Sequence, residues 1–330
     1  VQPNSEVLRL SKQGKKLMKQ RKYYDAESTF LQALDLEPDN SYILVGLGDL
    51  YRITKKFGKA ISYYSRLLQN DESNVFALRG IGDSYRGLRQ PEKSIDFWKA
   101  YLEINRGDVH VMVRLADAYK SMGMVEESEQ LYIKSVEIQG EDRYALMGLG
   151  NLYYKERDDD RALIYFEKLL ALDEHYVAVL TMVGNIYQRR SDYESANKYY
   201  AKATELEPDN SYALYGLGNC QRGLGNIDRA IELWSKILDK EPYNQNILSR
   251  LGDAWFNKDE VEKARSLYQR SLDIDFDAFA LIGMSHIYRN EGKFVEAEAC
   301  CNRVLMEKPG FERAIEELSL VLIDKDRAGK

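Results

Sequence analysis

Four Gly-X-Gly strings (46–48, 80–82, 148–150 and 216–218), three histidines and three cysteines are the residues of this 330-residue chain best able to do chemistry. Glycine-rich turns cradle phosphate when they follow a strand and run on into GxxG or GK[ST], because backbone N–H groups then converge on the anion. None of the four strings continues that way. A metal site needs its ligands at a few fixed spacings. His110, His175 and His286 show no such spacing among themselves or with Cys220, Cys300 and Cys301. No Ser/His/Asp or Cys/His set can be assembled, and the many carboxylates read as helix-surface charges. The expectation is a non-enzyme with no catalytic residue, no metal and no cofactor.

Charge and cysteine usage narrow the partners. A net charge of −6 and a pI near 5.4 argue against nucleic acid. Residues 1–22 run the other way: Arg9, Lys12, Lys15, Lys16, Lys19, Arg21 and Lys22 stand against Glu6 alone. That cluster is either a docking patch for an acidic surface or the solvated face of a terminal element. No uncharged run approaches the roughly 18 apolar residues of a membrane span. Three cysteines, two of them adjacent, make no disulfide framework and point to a reducing compartment such as the cytoplasm. Val1 stands where an initiator Met is expected, so the alternative is a periplasmic or secreted location after removal of a signal segment.

The elements that hold these residues are set by a period of 34. A small residue recurs at Gly14, Gly48, Gly82, Ala116, Gly150, Gly184, Gly218, Gly252 and Ser285. A second small series follows twelve positions later at Ala26, Ala60, Ser94, Ser128, Ala162, Ala196, Ala230, Ala264 and Ala297. With the first series as position 8, the repeats are 7–40, 41–74, 75–108, 109–142, 143–176, 177–210, 211–244, 245–277 and 278–311. Residues 312–325 begin a tenth first helix. Positions 4, 7, 8 and 11 lie on one face of an α-helix. A large residue at position 24 (Phe30, Tyr64, Trp98, Tyr132, Phe166, Tyr200, Trp234, Tyr268) marks a second helix, and Pro38, Pro208, Pro242 and Pro309 stop it. Since the repeats touch only their neighbours, the unbroken period predicts one elongated unit without a central core.

These residues resemble the tetratricopeptide repeat family pattern Trp-Leu-Gly-Tyr-Ala-Phe-Ala-Pro over nearly the whole chain, with Gln13, Gln221 and Cys301 as the chief departures. The resemblance implies an all-α fold, a right-handed α-solenoid superhelix of helix-turn-helix repeats. It implies a protein–protein interaction scaffold, with positions 2, 5, 9, 12 and 13 of the first helices lining a concave groove. Position 9 then offers Asp49, Asp83, Asp117, Asn151, Asn185 and Asn219, the three asparagines forming a ladder able to bond an extended peptide backbone. Position 12 offers Arg52, Arg86 and Arg222. Asp49 with Arg52, Asp83 with Arg86 and Asp117 with Lys120 either face a ligand or pair within their helices. Tyr42, Phe76, Tyr144 and Tyr212 at position 2, with Tyr215 at position 5, make an aromatic stripe that either binds a partner or packs on the preceding repeat. The family's clamp for chaperone C-termini needs lysine or arginine beside these asparagines. Met147, Tyr215 and their neighbours supply none, so a chaperone-tail co-chaperone is not expected.

Two further readings compete with peptide capture: an accessory subunit that positions a separate enzyme, and self-assembly. For the latter, residues 312–325 are expected to turn Ile315, Leu318 and Leu322 inward. Leu320, Val321 and Ile323 are then left outside as a contact for a second copy.

Overall fold

The computed structural model describes residues 5–328, and among them nineteen α-helices and no strand. First helices are α1 (Ser5–Lys19), α3 (Ser41–Ile53), α5 (Val75–Gly87), α7 (Val109–Ser121), α9 (Arg143–Lys155), α11 (Val177–Arg189), α13 (Ser211–Gly223), α15 (Gln245–Phe256) and α17 (Ala278–Asn290). Their second helices are α2 (Tyr23–Leu36), α4 (Phe57–Asn70), α6 (Pro91–Ile104), α8 (Val125–Ile138), α10 (Asp159–Leu172), α12 (Tyr193–Leu206), α14 (Ile227–Lys240), α16 (Val261–Ile274) and α18 (Phe294–Glu307), and α19 (Glu312–Ala328) follows alone. This is the all-α array of helix pairs that the period predicts. It falls into two compact units, residues 1–172 with α1 to α10 and residues 173–330 with α11 to α19. Val1 lies outside the described residues.

Two backbone devices start and end each pair. The last residue of most repeats (Asn40, Asn74, Asp108, Asp142, Asn210, Asn244, Asp277) accepts N–H bonds from the first turn of the next first helix. Those N–H groups have no partner inside the helix, so the cap stabilises each start by about 1 kcal/mol. At α11 the cap position is Tyr176, which makes no such bond. Between the two helices of every pair one residue takes a left-handed turn: Arg21, Lys55, Arg89, Gly123, Arg157, Ser191, Gly225, Asp259 and Gly292, with φ between 58° and 83°.

Within each unit, the ring at position 24 is gripped by small residues from two first helices. A Cβ built on Gly46 would stand 2.6 Å from the ring of Phe30, in the preceding repeat, and one on Gly48 would stand 2.5 Å from Tyr64 in its own. The Gly-X-Gly strings are therefore sockets for two aromatic rings, and the residue between them (Leu47, Ile81, Leu149, Leu217) is buried in the core. They bind no phosphate in this arrangement, because each lies inside a helix.

Helix α19 departs from expectation. Ala314, Glu317 and Val321 are buried, whereas Ile315 and Leu322 are exposed and Leu318 is half-buried. The reason lies in what covers each face. Positions 4, 8 and 11 of a first helix pack on the second helix of the same repeat, and none follows α19 among the described residues. Positions 3 and 10 pack back on the preceding pair, and Ala314 and Val321 occupy them. Val321 thus has no exposed surface to offer a second copy; Leu320 and Ile323 do, at 46 and 47 % exposure.

Candidate functional site

In unit 1 the polar side chains of the first helices largely satisfy one another. Asp49 takes a bond from Arg52 at 3.1 Å and one from the Tyr64 hydroxyl at 2.8 Å. Lys120 bonds Asp117 at 2.9 Å, and Tyr132 donates to the same Asp117 oxygen at 2.5 Å. Asp83, nearly buried, is not paired with Arg86, as the i,i+3 spacing suggested. One Arg114 nitrogen donates to both of its oxygens at 2.7 and 2.9 Å, and Arg52 approaches from the other side at 3.8 Å. Arg86 is left exposed without a carboxylate among the described residues. An arginine one repeat on, whose one nitrogen bonds both oxygens of the nearly buried Asp83, takes the place of the residue one turn away in the same helix.

The three asparagines differ in what already holds them. Asn151, in unit 1, is half-buried with no hydrogen-bond partner among the described residues. In unit 2, Asn185 accepts the Tyr200 hydroxyl at 2.5 Å, and Asn219 is buried at 6 % exposure with its Oδ1 unbonded. The physical rule is visible across repeats: where position 24 is Tyr (Tyr64, Tyr132, Tyr200, Tyr268), position 9 accepts its hydroxyl. Where position 24 is Phe or Trp there is no such bond, and position 9 is released. Burial, aided by the adjacent carboxylate, pushes the Tyr64, Tyr132 and Tyr268 hydroxyls up, so these donors stay protonated.

The aromatic stripe is open. Tyr42, Phe76, Tyr144 and Tyr212 are 60 to 84 % exposed, so most of each ring is left uncovered, although Lys15 of the preceding repeat lies 5.8 Å from the Tyr42 ring centre. Tyr215 is half-buried beneath Arg250, whose guanidinium lies 4.9 Å from the ring centre.

Unit 2 carries a feature that the sequence reading largely missed. Two adjoining clefts of about 580 and 640 Å³ run along α13, α15, α17 and α19, and both are lined by Arg222, Asp253, Phe279 and Arg313. Arg250 lines the second, and a smaller cleft of about 300 Å³ beside Tyr212 and Tyr215 shares Asn246 with it. Arg222, Arg250 and Arg313 make no salt bridge among the described residues. Arg250 instead bonds the Asn246 amide oxygen at 3.2 Å, and Arg313 sits 5.5 Å from the Phe279 ring centre. Burial pushes the Asp253 carboxyl above the usual carboxylate range, against the opposing pull of Tyr268, Arg222, Arg250 and His286. Of these cleft residues Arg222, Tyr212 and Tyr215 stand among the groove residues picked from the repeat register, and Asp253 and Phe279 hold the same groove positions, 9 and 2, in their own repeats. Arg250 and Arg313 escaped because they sit at positions 6 and 2, where most repeats carry glycine or an aromatic.

In the lining of the first cleft, Glu317 replaces the usual small residue at position 6. Cys301 makes room for it by standing where other repeats hold a ring. Glu317 binds Arg289 at 3.0 Å and the His286 ring at 3.0 Å, and Arg289 reaches on to Asp324. Burial works to raise the Glu317 carboxyl, but the bonds and charges of His286 and Arg289 outweigh it and hold it low. The three cysteines are free. Among the described residues no group of His, Cys, Asp and Glu is arranged to hold a metal, and no helix is long and apolar enough to cross a membrane.

Comparison with known proteins agrees with this architecture. No curated protein matches the sequence. Among solved structures, a tetratricopeptide repeat protein from Parabacteroides merdae is similar with a TM-score of 0.57 at 15 % identity, covering 76 % of this chain and 99 % of that one. PilF of Pseudomonas aeruginosa gives 0.53 at 20 %, covering 63 and 95 %. YrrB, described as a tetratricopeptide repeat protein with an unusual peptide-binding site, gives 0.50 at 18 %, covering 56 and 95 %. At these identities the likeness is one of fold. Family profiles described as tetratricopeptide repeat match residues 11–75, 109–142, 145–176, 182–245 and 221–278. With its ring sockets, helix pairs and 34-residue period, the chain belongs to the tetratricopeptide repeat family, a typically non-catalytic fold whose usual role is protein–protein interaction.

Proposed function

We propose that this scaffold captures an extended, carboxylate-bearing peptide segment of a protein partner along the first helices of unit 2. The observation that carries the reading is that Arg222, Arg250 and Arg313 line adjoining clefts yet make no salt bridge among the described residues, although Asp253, Asp277, Glu316 and Glu317 share that lining. A guanidinium held on an aromatic face keeps its outward N–H donors available, and a planar fork of donors suits a carboxylate. Phe279, Tyr212 and Tyr215 supply rigid contact area beside them. We propose also that the nine repeats act as one solenoid, in keeping with the unbroken period.

The test is fluorescence anisotropy with a labelled acidic peptide and its Asn/Gln counterpart. The acidic peptide should bind more tightly, and the preference should shrink with salt. Arg222→Glu/Arg250→Glu/Arg313→Glu should weaken it by about tenfold or more, since each repelled charge costs of order 1 kcal/mol. Equal binding of the neutral peptide would remove the proposal.

A second reading, self-association through α19, draws on its four exposed aliphatics, Ile315, Leu320, Leu322 and Ile323. Sedimentation of the wild type beside Leu320→Glu/Ile323→Glu decides it: a wild type monomeric at high concentration ends that reading.

A further inference from the structure

Position 11 of repeats 2 to 5, all in unit 1, carries a tyrosine, and in three of them its ring is covered from within the repeat. In repeats 2, 3 and 5 a second ring from position 23 stacks on it: Tyr63 on Tyr51 with centres 5.5 Å apart, Phe97 on Tyr85 at 5.8 Å and Tyr165 on Tyr153 at 5.7 Å. In the same three repeats a cation from position 19 also lies over the tyrosine: Lys59 at 5.1 Å, Lys93 at 5.6 Å and Arg161 at 4.1 Å from its centre. Repeat 4 keeps the tyrosine, Tyr119, but has Leu131 at position 23 and Glu127 at position 19. Both covers are missing. A cleft of about 550 Å³ opens at that place, with Met112 and Leu115 as its floor, Tyr119, Leu131 and Glu127 on one side and Leu102 of α6 on the other. Its rim carries both signs of charge, so shape and polarisability decide what fits.

We propose that this cleft is a docking socket for an aromatic side chain of a partner protein. Its occupant is defined by the neighbouring repeats, where a ring stacked on the equivalent tyrosine fills the same position between two second helices. An isolated aromatic pair gains more than its area because the ring edges and faces are complementary, so a planar ring is favoured over an aliphatic group of equal size. The socket lies between α6 and α8 and shares no residue with the clefts of unit 2. It therefore stands or falls independently of the peptide reading.

The full chain labelled with ¹³C-methyl methionine provides the test, because Met112 forms part of the floor and the other methionines serve as controls. Benzyl alcohol should shift the Met112 methyl saturably, with a Kd of about a millimolar or weaker for so small a probe. Cyclohexylmethanol, of equal size, should bind at least about threefold more weakly. Leu131→Phe should abolish the shift and raise Tm, since the ring then fills the socket from inside. Leu131→Ala, which leaves the socket open, should retain it. Equal binding of the two alcohols, no saturable shift at Met112, a shift that survives Leu131→Phe, or its loss in Leu131→Ala would each overturn the assignment.

Discussion

The first helices of the two units solve the same problem in opposite ways. In unit 1, Asp49, Asp83 and Asp117 are neutralised by Arg52, Arg114 and Lys120 of that same unit, so each of these carboxylates is already paired. In unit 2 position 9 carries Asn185, Asn219 and Asp253, and Arg222, Arg250 and Arg313 make no salt bridge among the described residues. One scaffold thus carries a face whose ion pairs brace neighbouring repeats and a face whose cations are free for something else. The lesson is that position in the repeat does not make a binding residue. What matters is whether its charge is already spoken for one repeat away.

The largest effect should come from breaking the closed face. Asp83→Ala strands Arg114 and leaves Arg52 with Asp49 alone, and removing one partner of a semi-buried ion pair should cost about 1–2 kcal/mol, less than for a fully buried pair. Arg250→Ala in unit 2 should stay within about 0.5 kcal/mol, because no ion pair is lost. Urea unfolding measures both; equal costs would erase the comparison. Hydrogen exchange read separately over residues 1–172 and 173–330 adds a test of the single-solenoid reading. If the repeats act as one, Asp83→Ala weakens protection in both units; if not, in the first alone.

How much of this was legible beforehand follows from what a repeat records. The helix pairs could be read directly, because a feature copied nine times stands above the noise, whereas the small-residue series marked close packing without naming the rings it receives, and the aromatics at position 2 were visible without their exposure. The hydroxyl bond between positions 9 and 24 was also present in the sequence, as Tyr at 24 accompanied by Asp or Asn at 9 in repeats 2, 4, 6 and 8. It was overlooked because position 9 had been assigned to the groove. The Asp83–Arg114 pair and the clefts around Arg250 and Arg313 could not be read that way. They depend on single residues breaking the pattern, and on contacts between repeats that periodicity averages out. The register of α19 failed for a related reason: its pattern is that of a first helix, but no second helix of its own follows it among the described residues.

The two carboxyls of unit 2 should respond to pH with opposite signs. Glu317 is held low, so the stability it lends α19 is complete above its unfolded value near 4.3 and is lost as pH falls through the lower folded value. Glu317→Gln should cost about 1 kcal/mol at neutral pH and flatten that acid limb, read by hydrogen exchange across α19. Asp253 is held high, so its favourable state is the protonated one, and stability is lost as pH rises from its unfolded value through the raised one. Asp253→Asn should therefore stabilise the protein at neutral pH and remove a slope no steeper than one proton, about 1.4 kcal/mol per pH unit. It should also tighten binding of an acidic peptide, because a negative charge leaves the cleft. A destabilised Asp253→Asn would mean that the ionised form is bound better than its burial implies.

The smallest effect is one in which the units should not differ in kind. Lys55 in unit 1 and Asp259 in unit 2 both occupy the left-handed turn between the helices of a pair, at φ of 59° and 62°. A Cβ is disfavoured there whatever the local charge, and Gly123, Gly225 and Gly292 show the relaxed solution at the same position. Replacement by glycine should stabilise by about half a kcal/mol, the relief of strain being partly offset by the greater freedom glycine gives the unfolded chain. The gain should be larger for Lys55→Gly than for Asp259→Gly, because aspartate tolerates this conformation better than lysine. Thermal unfolding of the two variants tests it. A gain in one unit and a loss in the other would show that these turns serve the faces they adjoin. Gains in both would confine the difference between the units to their side-chain charges.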